Sequence, residues 1–181
     1  MTIGSFNSKT AINSDKPGLK KDMLTDWGPE SNLDFDKVYK DVDGNELKWQ
    51  YSDKIEGRGI ETINLDAGLT FLLRNKVGKM GLCYAATFIT SPDDRDAVLE
   101  LACDWWMNVY LNGEKIIQTP RASGVETDGA EFTTWGNTPV KIRLKKGVNT
   151  LLLKVKGGTM STTFCAWISN PGDLKISHRK D

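Results

Sequence analysis

Residues 97–118 read AVLELACDWWMNVYLNGEKIIQ, and this pattern decides the fold. Ala97, Leu99, Leu101 and Cys103 fall on one side of an extended chain, and Trp105, Met107, Val109 and Leu111 repeat the arrangement, while Asn108, Tyr110 and Asn112 point the other way. A period of two marks a strand, because successive Cβ atoms leave a pleated chain on opposite faces. Asn112-Gly113 is the dipeptide best able to take positive φ at both central turn positions, so the chain is expected to reverse there into a second arm, residues 114–118.

The flanking segments extend the pattern. In LCYAATFITSP, residues 82–92, the set Leu82, Tyr84, Ala86, Phe88 alternates with Cys83, Ala85, Thr87, Ile89. Both sets are apolar or small, as expected of a strand covered on both faces in the middle of a sheet. Ser91-Pro92-Asp93-Asp94 ends it with turn-forming residues. In VKIRLKKGVNTLLLKV, residues 140–155, Val140, Ile142 and Leu144 alternate with Lys141, Arg143 and Lys145, and Lys146-Gly147 supplies a turn. Leu151, Leu153 and Val155 then face back against Thr150 and Lys154, which predicts a second hairpin. Residues 162–169 form a further strand, Asn170-Pro171-Gly172 a turn, and 174–177 an edge strand.

Upstream the signals thin out. Asp43-Gly44 marks a turn before a strand at 46–51, which alternates Leu47, Trp49 and Tyr51; residues 33–42 are expected as a short helix, 60–65 as a strand, 68–73 as a strand or a one-turn helix, and 74–81 as a loop. Residues 1–22 read as a flexible lead or a strand fragment borrowed by the sheet, 23–177 as one domain, and 178–181 as a charged tail. About nine short strands separated by Gly, Pro, Asn and Asp turns argue for an all-β sandwich of two antiparallel sheets.

The central hairpin resembles that of the galactose-binding-like jelly-roll domains attached to bacterial polysaccharide-degrading enzymes: an acidic residue, alternating apolars, an aromatic, then Leu-Asn-Gly and Lys. Residues 82–92 are similar to that family's "YA-aliphatic-strand-SP" segment, 140–155 to its "V-x-L-KKG-x-N-x-L-LLKV" segment, 164–168 to its closing strand, and LTDWGP within 23–51 to its opening "W-x-x-GP" segment. The chain departs from the family where Asp104 is followed by Trp105 rather than a second acid, which favours an aromatic contact there over an acidic one. The resemblance implies a jelly-roll topology, a carbohydrate-binding or lectin-like accessory module, a bacterial extracellular or cell-surface setting, and compatibility with a structural calcium ion. No EF-hand-like spacing assigns that ion a site.

Composition narrows the partners. Lys plus Arg and Asp plus Glu number 24 each, so no bulk field draws the domain to nucleic acid or an anionic membrane. No apolar run approaches the ~20 residues needed to span a bilayer, and the opening residues lack the apolar core of a secretory signal. A domain belonging to a larger multidomain protein would read the same way. Cys83, Cys103 and Cys165 each lie in an expected strand and read as small core hydrophobes, without zinc-ligand spacing.

The single histidine, His178, lies beyond the last expected strand, which removes histidine-based hydrolysis and histidine-rich metal sites. Loop acids Asp93, Asp94, Asp96, Glu126, Asp128 and Glu131 leave a carboxylate-dependent glycan-active enzyme as an alternative. The favoured reading is non-catalytic binding of a polysaccharide or oligosaccharide. A sugar offers an apolar C–H face and a rim of hydroxyls, so its site needs a flat aromatic with polar groups beside it. Trp106, Asn108 and Tyr110 share one strand face and are candidates. Trp135, Arg121 and Asn137 are the others, in the loop between the hairpins, a segment long enough to suggest function. Each has a structural alternative: packing of the Trp106 strip beneath a covering loop, folding of Trp135 back on the core, and pairing of Arg121 with Glu126 or Asp128. If all three aromatics were buried, the domain would be a structural or protein-interaction sandwich without a sugar site.

Overall fold

Alternating segments of the chain become strands, and the Asn- and Gly-bearing dipeptides between them become turns. The computed structural model describes residues 1–4, 6, 23–50, 71–77, 81–103, 106–117, 138–156 and 162–177. In chain order the strands are β1 (Thr2–Gly4), β2 (Tyr39–Lys40), β3 (Glu46–Leu47), β4 (Phe71–Val77), β5 (Leu82–Ser91), β6 (Arg95–Cys103), β7 (Trp106–Leu111), β8 (Glu114–Ile117), β9 (Thr138–Leu144), β10 (Gly147–Lys156), β11 (Thr162–Ser169) and β12 (Lys175–Ser177).

One sheet runs β1-β5-β10-β7-β8, with β12 also on β5, and the other runs β4-β11-β6-β9. All of these pairings are antiparallel. Within them β4 lies beside β11, β5 beside β10, β6 beside β9 and β7 beside β8. The chain from β4 to β11 is thus doubled back on itself about the β7–β8 hairpin and wound into two sheets, which is a jelly roll. At the hairpin Asn112 and Gly113 have φ of 52° and 83°, the positive values expected of this turn.

The inner faces meet in a core that includes Leu99, Leu101, Met107, Val109, Ile142, Leu144, Leu151, Leu153, Val155 and Phe164, all buried. Ala97, Leu99, Leu101, Met107, Val109 and Leu111 of the alternating set are on this face, so period two correctly assigned the interior for them, while Trp105 lies outside the described residues. The period did not assign every partner. Residues 140–155 are not a hairpin: β9 pairs with β6, placing Val140 opposite Leu99, while β10 pairs with β5 and β7, placing Leu153 opposite Ala85 and Val109. Lys145–Gly147 is a corner at which the chain changes sheets. Buried Asn149 holds it, accepting from Lys145 N at 2.9 Å and donating to Lys145 O at 2.7 Å.

Two upstream expectations are also corrected. Residues 33–42 form no helix: Asp36 N donates to the Asp34 carboxylate at 3.0 Å and the Tyr39 hydroxyl donates to Asn32 O at 3.0 Å. Side-chain bonds of this kind compete with helical ones and favour turns. Residues 74–77, expected as loop, complete β4. The strand read at 46–51 is present as the two residues of β3, paired with β2. The strand read at 60–65 lies outside the described residues, as does Tyr51.

A third layer covers the outer face of the larger sheet. Met1, Ile3, Phe6, Met23, Tyr39 and Trp49 form a buried cluster with the outward residues Leu82, Tyr84, Ala86, Trp106, Tyr110 and Leu152. Phe6 seats its ring edge-on to Tyr84, with centroids 5.2 Å apart. β1 enters the sheet beside β5, where Gly4 approaches so closely that a Cβ would lie 2.7 Å from Cys83 Cβ.

Candidate functional site

The outer face of β5, β7 and β10 carries large aromatics with a lysine and an asparagine among them, and only a covering layer makes that mixture stable. Residues 23–35 supply part of it as a strap. Asn108 is 0% exposed and its Nδ2 donates to Met23 O at 3.1 Å. Lys154, also 0% exposed, donates to Thr25 O at 2.5 Å and pairs with Glu30 Oε1 at 2.6 Å. The Tyr84 hydroxyl donates to Glu30 Oε2 in a short hydrogen bond. Glu30 therefore has both oxygens engaged, and its side chain is 10% exposed. Gly28 turns the strap at φ +113°, where a Cβ would press on the Tyr39 ring at 3.0 Å.

The electrostatics follow from this burial. Loss of solvation lowers Lys154 from its ordinary value of 10.5, against the pull of Glu30 in the other direction. Desolvation, then the Glu30 charge, raises Tyr84 far above the usual phenol range. Tyr110 is raised by the same two causes in the same order. The Lys115 ammonium stands 5.6 Å from the centre of the Tyr110 ring, a cation–π arrangement at the sheet edge.

Between strap and sheet lies a cleft of about 220 Å³. Pro29, Glu30, Ser31, Leu33 and Phe35 of the strap line one side, and Phe88, Tyr110, Thr150 and Leu152 of the sheet, with Gly113 at the hairpin, line the other. Phe35 and Phe88 meet edge to face with centroids 5.5 Å apart. The lining of the cleft places aromatic side chains beside hydroxyl and carboxylate groups, the residue types that a sugar's apolar face and hydroxyl rim call for.

Of the residues singled out in the sequence, Tyr110 reaches this cleft. Trp106, 7% exposed, and Asn108 lie within the covered outer face, so in this structure the Trp106 strip is packed beneath other chain rather than displayed. Its physical reason is the strap, whose apolar residues Met23, Leu33 and Phe35 need a surface to cover. Arg121, Trp135 and Asn137 lie outside the described residues. Trp49 and Trp167 are buried.

Reasoning from sequence missed Glu30, Tyr84 and Lys154 as a unit. The available signal was the second apolar set of residues 82–88: a strand buried on both faces buries its neighbours' outward residues too, Lys154 included.

The loop acids expected as catalytic candidates serve structure where they are described. Arg95 bridges Asp93 and Asp173 at 2.6 Å each, Asp96 pairs with Arg143 at 3.0 Å, and Asp94 accepts from Lys146 N at 2.6 Å. Glu126, Asp128 and Glu131 lie outside the described residues. Among the described residues no group of three or more His, Cys, Asp or Glu comes together to hold a metal ion. No helix among them is long and apolar enough to cross a membrane.

No family model and no curated protein matches the chain. Among solved structures, it is similar to a family 35 carbohydrate-binding module from an environmental isolate, with TM-score 0.35 and 13% identity over 57% of this chain and 74% of that one. It is also similar to part of a β-glucosidase from Kluyveromyces marxianus in complex with glucose, with TM-score 0.35 and 22% identity over 52% of this chain and 12% of that one.

Proposed function

We propose that this domain is a non-catalytic carbohydrate-binding module that holds a glycan at the cleft between strap and sheet. The observation that carries the reading is the cleft itself, whose lining combines Phe35, Phe88 and Tyr110 with Ser31, Glu30 and Thr150. Its volume of about 220 Å³ falls below the roughly 300–1,000 Å³ of enclosed small-molecule pockets. That size suits a sugar unit of a longer chain resting at the surface. Arg121, Trp135 and Asn137, from the segment between β8 and β9, are proposed as further contacts. Jelly-roll topology and the quoted segments that resemble polysaccharide-associated domains support the same assignment. Glu30 is neutralised by Lys154, so the cleft holds no free carboxylate pair among its described residues, which favours binding over hydrolysis.

Burial of Trp106 and Tyr110, 7% and 5% exposed, favours a second reading, a structural or protein-interaction sandwich without a sugar site; Trp135, the third aromatic of that criterion, lies outside the described residues. One experiment separates the two. Titrate the protein with xylan, mixed-linkage β-glucan, galactomannan, alginate and chondroitin sulfate, following intrinsic fluorescence, beside Ser31→Trp and Trp135→Ala variants. Saturable binding that Ser31→Trp abolishes supports the cleft. Loss in Trp135→Ala alone moves the site to the segment between β8 and β9, and silence across the panel favours the structural reading.

A further inference from the structure

The cleft is built from two parts of the chain that are far apart in sequence, and one of its walls is the strap. What seats that wall is polar: Lys154 joins Thr25 O and Glu30, and Tyr84 takes the second oxygen of Glu30. Asn108 fixes the strap's other end through Met23 O. The groups facing the Lys154 ammonium are Glu30 and Asp26 from the strap, Thr25 O, the Tyr84 ring at 5.7 Å and, more remotely, Lys115. Glu30 lines the cleft, whereas Lys154 does not. A buried ammonium whose partner lies on a separate segment makes the docking of that segment conditional on the pair: without Lys154, Glu30 is a desolvated charge, and water reaches it when the strap lifts.

We propose that the Glu30–Lys154 pair is a latch for the strap, that Lys154 is a positioning residue for the glycan site it does not touch, and that glycan occupancy and strap docking are coupled. This rests on the cleft being the glycan site. Ligand spanning strap and sheet binds only the docked form, so it must favour docking by the same factor by which docking favours it. Asn108, picked out in the sequence as a contact, acts in this account as a second fastening.

The test uses amide hydrogen exchange and glycan titration on the same samples. In Lys154→Met, exchange across the strap, residues 23–35, should accelerate about 100-fold or more, while the β5 and β10 amides keep their protection. Binding of whichever panel polysaccharide the wild type holds should weaken, and in the wild type that polysaccharide should slow strap exchange. Glu30→Gln/Lys154→Met removes the orphaned carboxylate and should recover protection relative to Lys154→Met. A role in packing alone predicts no such recovery.

Unchanged strap exchange in Lys154→Met overturns the latch. Accelerated exchange with undiminished binding overturns the coupling and leaves the glycan reading standing. A wild type that binds no panel polysaccharide overturns that reading and the coupling, while strap-selective exchange would still show the latch. If Lys154→Met unfolds throughout, the double variant decides: a folded double variant with a protected strap supports the latch, and global unfolding there as well overturns it.

Discussion

Replacing Asn149 by Ala tests the corner that turns an apparent hairpin into a change of sheet. The side chain is fully buried, and its Oδ1 accepts from Lys145 N and from Asn112 Nδ2, each at 2.9 Å. Its Nδ2 donates to Lys145 O at 2.7 Å and, more weakly, to Gly147 O at 3.2 Å and Ile89 O at 3.3 Å. Asn149 therefore ties the corner to the Asn112-Gly113 turn, and Asn112 Oδ1 returns the contact by accepting from Thr150 N at 2.9 Å. Three well-formed bonds at about 1 kcal/mol net each give a loss of about 3 kcal/mol. For a domain of this size that lowers Tm by about 6–12 °C. Urea unfolding should show a lower midpoint with an unchanged m-value, since the surface exposed on unfolding is the same. Asn149→Asp should cost more, because it keeps an acceptor but faces carbonyl oxygens with a carboxylate. A loss below about 1 kcal/mol in Asn149→Ala would refute the claim that these bonds hold the corner.

Other expectations follow from particular contacts. Tyr84 and Tyr110 are buried and shifted above their ordinary value of 10.0, so the unfolded chain loses these protons first. Their stabilisation is complete below pH 10 and falls above it, by about 1.4 kcal/mol per pH unit for each. Lys154 is shifted down from 10.5, so its contribution rises with pH up to that value and is flat beyond. Urea midpoints measured between pH 8 and 11.5 should therefore drop steeply only above pH 10, with a shallower slope in Tyr84→Phe; an unaltered slope would contradict the shift. Gly4→Ala should cost more than about 2 kcal/mol, since its Cβ would meet the Cys83 backbone at 2.9 Å, whereas Gly113→Ala, at φ +83° with open space around it, should cost about 1 kcal/mol. Equal costs in thermal melts would show that β1 is not seated against β5 as described.

Faces were readable from the sequence because alternation reports which way side chains point, and Leu99, Leu101, Met107, Val109 and Leu111 of the set all lie in the core. Partners were not, because the same alternation is satisfied by a hairpin or by strands in opposite sheets. Val140 to Leu144 pairs with β6 rather than with β10, and the corner between them is held by Asn149, whose side-chain bonds no period reveals. Asn112-Gly113 was legible since its φ values belong to the residues themselves. The site was harder. Trp106 and Asn108 were correctly placed on the face opposite the core, but that face is roofed by the strap, and a roof contributed from about 80 residues away leaves no local trace. Tyr110 alone of that strip borders the cleft, and Glu30 went unnoticed because it directly follows the LTDWGP segment, where no period marked a face.

The most direct measurement of the central claim is a backbone amide shift map recorded while the protein is titrated with the polysaccharide fragment that binds it best. Glycan binding at the cleft predicts saturating shifts at Ser31, Tyr110, Gly113 and Thr150, with the β4, β6 and β9 amides unmoved. Shifts confined to that opposite sheet, or no shift with any fragment of the panel, would contradict it.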